Sequence, residues 1–181
     1  PILPRRVTET ILTRPLPVFT VQLSRTMNFP RPSCFPSDPL GGIIAPAAMI
    51  DPMVCLSVMS MAATSVGMRS GQPARNPSAQ SLYSQAMRML RSRLSNNSRT
   101  DETVLAANAL VVVGISFGVE VLVRQTRKVV RGLVRSRGGA SQLGMGGMLA
   151  DCILLVETLA AIWLKDEPCV VGEATLGVLN T

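Results

Sequence analysis

The chain has 181 residues, enough for one compact domain, and its hydrophobic fraction of 47% against 16% charged residues excludes a disordered chain. Aromatic residues make up only 3%, so a core must come from Leu, Val, Ala, Ile and Met, which favours packed helices over a β-sandwich. There is no histidine, which excludes Ser-His-Asp and Cys-His nucleophile systems and His-ligated metals, and the net charge of +7 suits an acidic partner without identifying one.

Residues 1–46 contain Pro1, Pro4, Pro15, Pro17, Pro30, Pro32, Pro36, Pro39 and Pro46. Proline fixes φ and removes a donor, so this stretch reads as an extended, loosely structured arm, with Ile11 to Leu23 able to pack a short piece on the core. A catalytic N-terminal proline would need a strand directly after it, and Pro4-Arg5-Arg6 does not begin one. Residues 47–181 read as one helical domain.

Asp51-Pro52 is a helix start, with Asp as N-cap and Pro at the first helical position. The apolar run Met53 to Val66 follows and Gly67 and Gly71 should end it. Asn76-Pro77 repeats the start signal, and Leu82, Tyr83, Ala86, Met87, Leu90 and Leu94 recur at helical spacing. Asn96-Asn97 breaks that helix. Thr100 is the expected N-cap of a third helix, with Asp101 and Glu102 in its first turn, where the helix dipole favours them. Its body, Val104 to Phe117, is apolar almost all round, so it should be the central, most buried element, weakened at its end by Gly114 and Gly118.

Residues 119–137 read as an amphipathic helix. Leu122, Val129, Val130, Leu133 and Val134 form one face; Arg124, Arg127, Lys128, Arg131 and Arg135 form a basic stripe. A solvated face explains the stripe most simply, with contact to an acidic protein surface or to DNA phosphates as the sharper readings. No aromatic residue interleaves with it, so base recognition is not indicated. Gly138-Gly139 then caps the helix. The run Gly138 to Gly147 opens a further helix, but neither a preceding strand nor a following lysine accompanies it, so it reads as a turn rather than a phosphate cradle. The last helix should span about 147–165, with Met148, Cys152, Leu155, Val156, Leu159 and Trp163 as its inward stripe and Pro168 as its stop.

The cysteines, Cys34, Cys55, Cys152 and Cys169, are widely spaced, which fits reduced, mostly buried thiols better than a zinc site. Three apolar segments, near 53–68, 104–123 and 147–164, approach membrane-spanning length, making a multispan membrane protein the rival class. Against it, Asp151 and Glu157 lie inside the last segment and the loops flanking the middle one are equally basic. For an enzyme, the acidic pairs Asp101-Glu102 and Asp166-Glu167 sit at helix ends, and a Ser-Lys pair would have to use Lys128 or Lys165.

The order of the pieces carries a resemblance. An apolar helix opens at Asp51-Pro52, a Leu82-Tyr83 helix ends in Leu90, Arg91 and Leu94, and Thr100-Asp101-Glu102-Thr103 precedes an Ala/Leu/Val helix. Gly132-Leu133-Val134, Arg137-Gly138-Gly139, Leu143-Gly144 and a helix with Leu149 and Ala160-Ala161 follow. This resembles the helical regulatory (middle homology) domain of fungal binuclear zinc-cluster transcription factors, over roughly residues 48–170 and best over 129–161. The resemblance implies an all-α fold of about five helices behind the Pro-rich arm. It also implies a non-enzymatic regulatory and interaction domain in the nucleus, protein partners of a transcription complex, and no cofactor in this chain. Zinc would belong to a DNA-binding module with six close cysteines, which this sequence lacks, so DNA contact should be weak or come through that missing module. Three further departures stand out: Thr126 lies near where the family commonly has a histidine, the loop at Gly118 is short, and the chain stops where the domain usually continues. A fragment or a degenerate relative is expected on that basis, with oligomeric state, effector and target genes left open.

Overall fold

The computed structural model describes residues 40–69 and 76–166; the readings placed on Ile11 to Leu23, Gly71, Cys34, Cys169 and Pro168 lie outside them. The described residues form six α-helices and no strand: α1 (Ala45–Ile50), α2 (Pro52–Arg69), α3 (Pro77–Ser95), α4 (Asp101–Phe117), α5 (Glu120–Ser136) and α6 (Met148–Leu164). The helix beyond the five expected is α1, which follows a π-helical turn over Leu40–Ile44 and starts on Ala45-Pro46, so the end of the proline-rich stretch is already helical.

Local cap chemistry sets the starts. Asp51 Oδ1 accepts hydrogen bonds from the Met53 and Val54 amides at 2.8 and 3.1 Å. Asn76 accepts from the Ser78 and Ala79 amides and its side-chain amide donates to the Ala63 carbonyl at 2.8 Å, tying the start of α3 to α2. Thr100 Oγ1 accepts from the Thr103 amide. Each side chain satisfies donors that the first turn leaves without intrahelical partners. At the far ends, Asn97 closes α3 in the left-handed region, and Gly118, at φ +70°, lets the chain turn from α4 into α5. Gly67 does not end α2, which runs on to Arg69.

The apolar helix α4 is the centre of the bundle, as its sequence implies. It packs against α2, α3, α5 and α6, and Val104, Ala106, Ala107, Leu110 and Val113 are completely buried. Gly114 allows α5 to come close: a Cβ there would sit 3.2 Å from Val123 Cγ2. Tyr83 of α3 meets Phe117 of α4 edge to face, with ring centroids 5.6 Å apart.

Two inward faces differ from the sequence reading. On α5, Val123, Thr126 and Arg127 are buried along with Val130, Leu133 and Val134, while Leu122 and Val129 are half-buried. On α6, the inward residues are Leu149, Ile153, Val156, Glu157, Ala160 and Ala161, so the stripe is turned by about one residue and Trp163 is exposed. The two inward faces meet at Arg127 and Glu157, which pair in the interior and so can be buried with the apolar residues beside them.

Among the described residues, one helical stretch, Met145–Leu164, is long and apolar enough to cross a membrane. A third of that stretch is buried, and within it Glu157 is enclosed and paired to α5, so the multispan reading is not favoured. The helix ends at Lys165, which adopts the left-handed conformation at φ +55°.

Candidate interaction surface

The basic stripe of α5 is not one surface. Arg127 and Glu157 are enclosed, with side chains 4% and 3% exposed, and the Arg127 guanidinium donates to the Glu157 carboxylate at 3.0 Å. Arg131 reaches the same carboxylate at 2.8 Å from the edge of the interior. Arg124 pairs with Glu120 at 2.7 Å and donates to Asp166 at 2.6 and 3.3 Å; those two carboxylates push the Arg124 pKa up, the Glu120 hydrogen bond most. Arg127 also lies 3.6 Å from Asp166. Two carboxylates of one segment thus bind three arginines of α5 and clamp α6 to it. A buried charge needs a compensating partner and satisfied hydrogen bonds, and Glu157 supplies these to Arg127. The reading of Arg127 as part of an outward face is therefore corrected: it is a core residue. Lys128 and Arg135 are exposed and form no ion pair among the described residues.

The turn Arg137-Gly138-Gly139 is a structural joint. Arg137 Nη1 donates to the Arg99 carbonyl at 2.6 Å, and Nη2 lies 2.7 Å from Asp101 Oδ1. Gly138 and Gly139 have φ of +92° and +103°, conformations that glycine adopts without the penalty a side chain brings. Asp101 also accepts from the Gly144 amide at 3.2 Å. The three separate motifs, Thr100-Asp101, Arg137-Gly138-Gly139 and Leu143-Gly144, therefore meet at one carboxylate.

Beside this joint lies an open cleft of about 250 Å³ between the C-terminal halves of α3 and α5. Both helices lean on α4 but have little direct contact with each other, which leaves the space. Leu94, Asn97 and Arg99 line one side; Val129, Gly132 and Leu133 line the other. Leu94 closes the apolar series of α3 in the sequence, yet it is 37% exposed because it faces this cleft and not the core. Gly132 lacks a side chain, and a Cβ there would touch nothing. Arg99 lines the cleft, and Arg91, Lys128 and Arg135 lie three or four positions from the lining residues Leu94 and Gly132; none of the four carries an ion pair among the described residues, whereas Arg93 pairs with Asp51 at 2.7 Å. Nothing in the one-dimensional pattern of α3 and the loop after it marks Leu94 or Arg99 as neighbours of Gly132, since their proximity depends on how both helices sit on α4.

Cys55 and Cys152 are free, half-buried thiols. Burial pushes both up, Cys152 to about 11 with a smaller contribution from Asp151, so neither favours the thiolate that reacts or binds metal. Among the described residues no group of three or more His, Cys, Asp or Glu side chains is placed to hold a metal ion. Burial likewise raises the Tyr83 hydroxyl, against smaller opposing effects of Thr126 and Arg91. Thr126 is buried, and its hydroxyl donates to the Leu122 carbonyl of its own helix at 2.8 Å.

No curated protein and no solved structure matches the chain. A family model described as the fungal specific transcription factor domain matches residues 16–181, nearly the whole length. The chain belongs to the fungal specific transcription factor domain family.

Proposed function

We propose that this chain is a non-enzymatic regulatory and interaction domain that acts in the nucleus as part of a fungal transcription factor. Family membership supplies the coarser statement, a role in the regulation of transcription. The observation that supports the finer one is the division of the basic residues. Arg93, Arg124, Arg127, Arg131 and Arg137 are used up in holding helices together, while Arg88, Arg91, Arg99, Lys128 and Arg135 lie on the outside with no ion pair among the described residues. A rigid scaffold with an uncommitted charged surface suits binding of partners rather than bond-making chemistry. Sequence-specific DNA reading is assigned to a zinc-cluster module outside this chain, and this chain holds no zinc of its own.

The test is a fusion of residues 1–181 to a heterologous sequence-specific DNA-binding module in a fungal reporter strain, with the fusion imaged in the same cells. The expected result is nuclear fluorescence and reporter transcription several-fold different from that given by the module alone. Reporter output identical to the module alone, or fluorescence confined to membranes, overturns the reading. Elemental analysis of the purified chain should find no stoichiometric zinc.

A further inference from the structure

We propose that the α3/α5 cleft is a docking site for an acidic amphipathic segment of a partner protein, one that inserts an apolar side chain between carboxylates. The proposal rests on the interaction-domain reading above and names the partner chemistry.

The cations come first. Residues three or four apart on a helix share a face. Arg91 therefore stands one turn from Leu94 on α3, and Lys128 one turn from Gly132 on α5, with Arg135 a further turn along. Arg99 lines the cleft itself. None of these four has an acidic partner among the described residues, although the molecule pairs Arg93 and Arg137 on either side of them. Helix C-termini carry partial negative charge that attracts cations within the last turn; Arg135 lies in the last turn of α5, whereas Arg91 and Lys128 lie before the last turns of α3 and α5. Here the end of α3 is closed by the Asn96 and Ser98 amides, bonded to the Ser92 and Arg93 carbonyls, and the end of α5 by the Gly138 and Gly139 amides, bonded to Arg135 and Val134. Arg91, Arg99 and Lys128 are thus left for an outside anion.

The floor decides what kind of anion. Leu94 is more than a third exposed, Val129 is half-buried, and Gly132 leaves a gap beside Leu133. A space of about 250 Å³ holds one or two apolar side chains. Covering this surface is favourable for an apolar anchor and gives nothing to a phosphate, so a nucleic-acid backbone would leave the cleft unused. Carboxylates flanking an anchor use both parts: the rim cations steer and orient, and the anchor supplies the apolar burial.

The experiment uses the full chain and a fluorescein-labelled twelve-residue peptide of alternating aspartate and leucine, read by fluorescence anisotropy at about 150 mM salt. Binding in the micromolar range is expected, weakened at least tenfold when the leucines become serine or the aspartates become asparagine. Gly132→Leu should fill the cleft from within and weaken binding at least tenfold, with circular dichroism unchanged and the thermal midpoint not lowered. Arg99→Glu with Lys128→Glu should do the same through charge. Lys165→Glu, at an exposed cation just past the end of α6, should leave binding intact. No binding of the peptide, equal binding by Gly132→Leu, or preference for a 20-base-pair duplex over the peptide each overturns the proposal. If the reporter fusion regulates transcription while the peptide does not bind, the cleft assignment fails and the domain reading stands; if the fusion has no effect on the reporter, the domain reading itself has failed.

Discussion

Arg137 and Asp101 face each other 2.7 Å apart, and this pair joins the turn after α5 to the start of α4. Asp101 lies in the first turn of α4, where the helix dipole favours its charge, and it also accepts the Gly144 amide at 3.2 Å. The backbone of Gly144 has φ −76°, an ordinary value for any residue. What excludes a side chain is space, since a Cβ there would collide with the Asp101 carboxylate. Gly144→Ala should therefore cost about 1–3 kcal/mol in urea denaturation. In an Asp101→Ala background the same substitution should cost clearly less, because the obstacle is gone. Equal costs in the two backgrounds would show that Gly144 is retained for another reason.

The interior pair Arg127–Glu157 supports a second prediction. Glu157→Leu should destabilise the chain by about 3–5 kcal/mol, because the buried guanidinium loses its enclosed carboxylate and keeps only Asp166, 3.6 Å away and a third exposed. Arg127→Met together with Glu157→Leu should recover most of that loss, since neither charge is then buried alone. Arg131→Ala, removing the partly exposed partner of the same carboxylate, should cost less than Arg127→Ala. Denaturant midpoints for the four variants decide it; a double variant as unstable as Glu157→Leu alone would mean that the pair fixes more than its own charge balance.

These two networks also mark how far the sequence could be read. Asp51, Asn76 and Thr100 cap their helices with side chains two or three residues from the amides they serve, and such short-range chemistry is visible in the string. The central place of α4 follows from its lack of polar residues. The inward faces of α5 and α6 were not legible in the same way. A charged residue in a periodic pattern is assigned to the outside, and only the meeting of Arg127 with Glu157, 30 positions on, reverses that assignment for both. The cleft is subtler still. Leu94 belongs to the apolar series of α3, but the spacing of α3 from α5 is set by α4 and leaves that one leucine uncovered.

The burial of α4 gives a third prediction. Val111 is 1% exposed and its neighbours Leu110 and Val113 are fully enclosed. Val111→Asp places a carboxylate there with no cation to meet it, which should cost several kcal/mol and lower the thermal midpoint sharply or prevent folding. An unchanged midpoint would refute the placement of α4 at the centre.

The last prediction follows from the Cys152 thiol. Burial, with a smaller push from Asp151, raises its pKa to about 11 from the ordinary 9.0. Between those two pH values an unfolded chain has released the thiol proton and the folded chain still holds it. The folded state therefore binds more protons there, and stability falls as pH rises. The contribution is complete below pH 9 and is lost as pH rises through 11. Cys55 and Tyr83 are raised in the same direction, so replacing Cys152 should reduce the alkaline loss without abolishing it. Urea midpoints of the wild type and Cys152→Ala at pH 8, 9, 10 and 11 test this: the variant's curve should be the flatter one. At pH 8 only about one Cys152 in a thousand is thiolate, so iodoacetamide should modify it far more slowly than free cysteine. Identical slopes in the two proteins, or alkylation at the rate of the free amino acid, would place this thiol in open solvent and contradict its position on α6 beside the core.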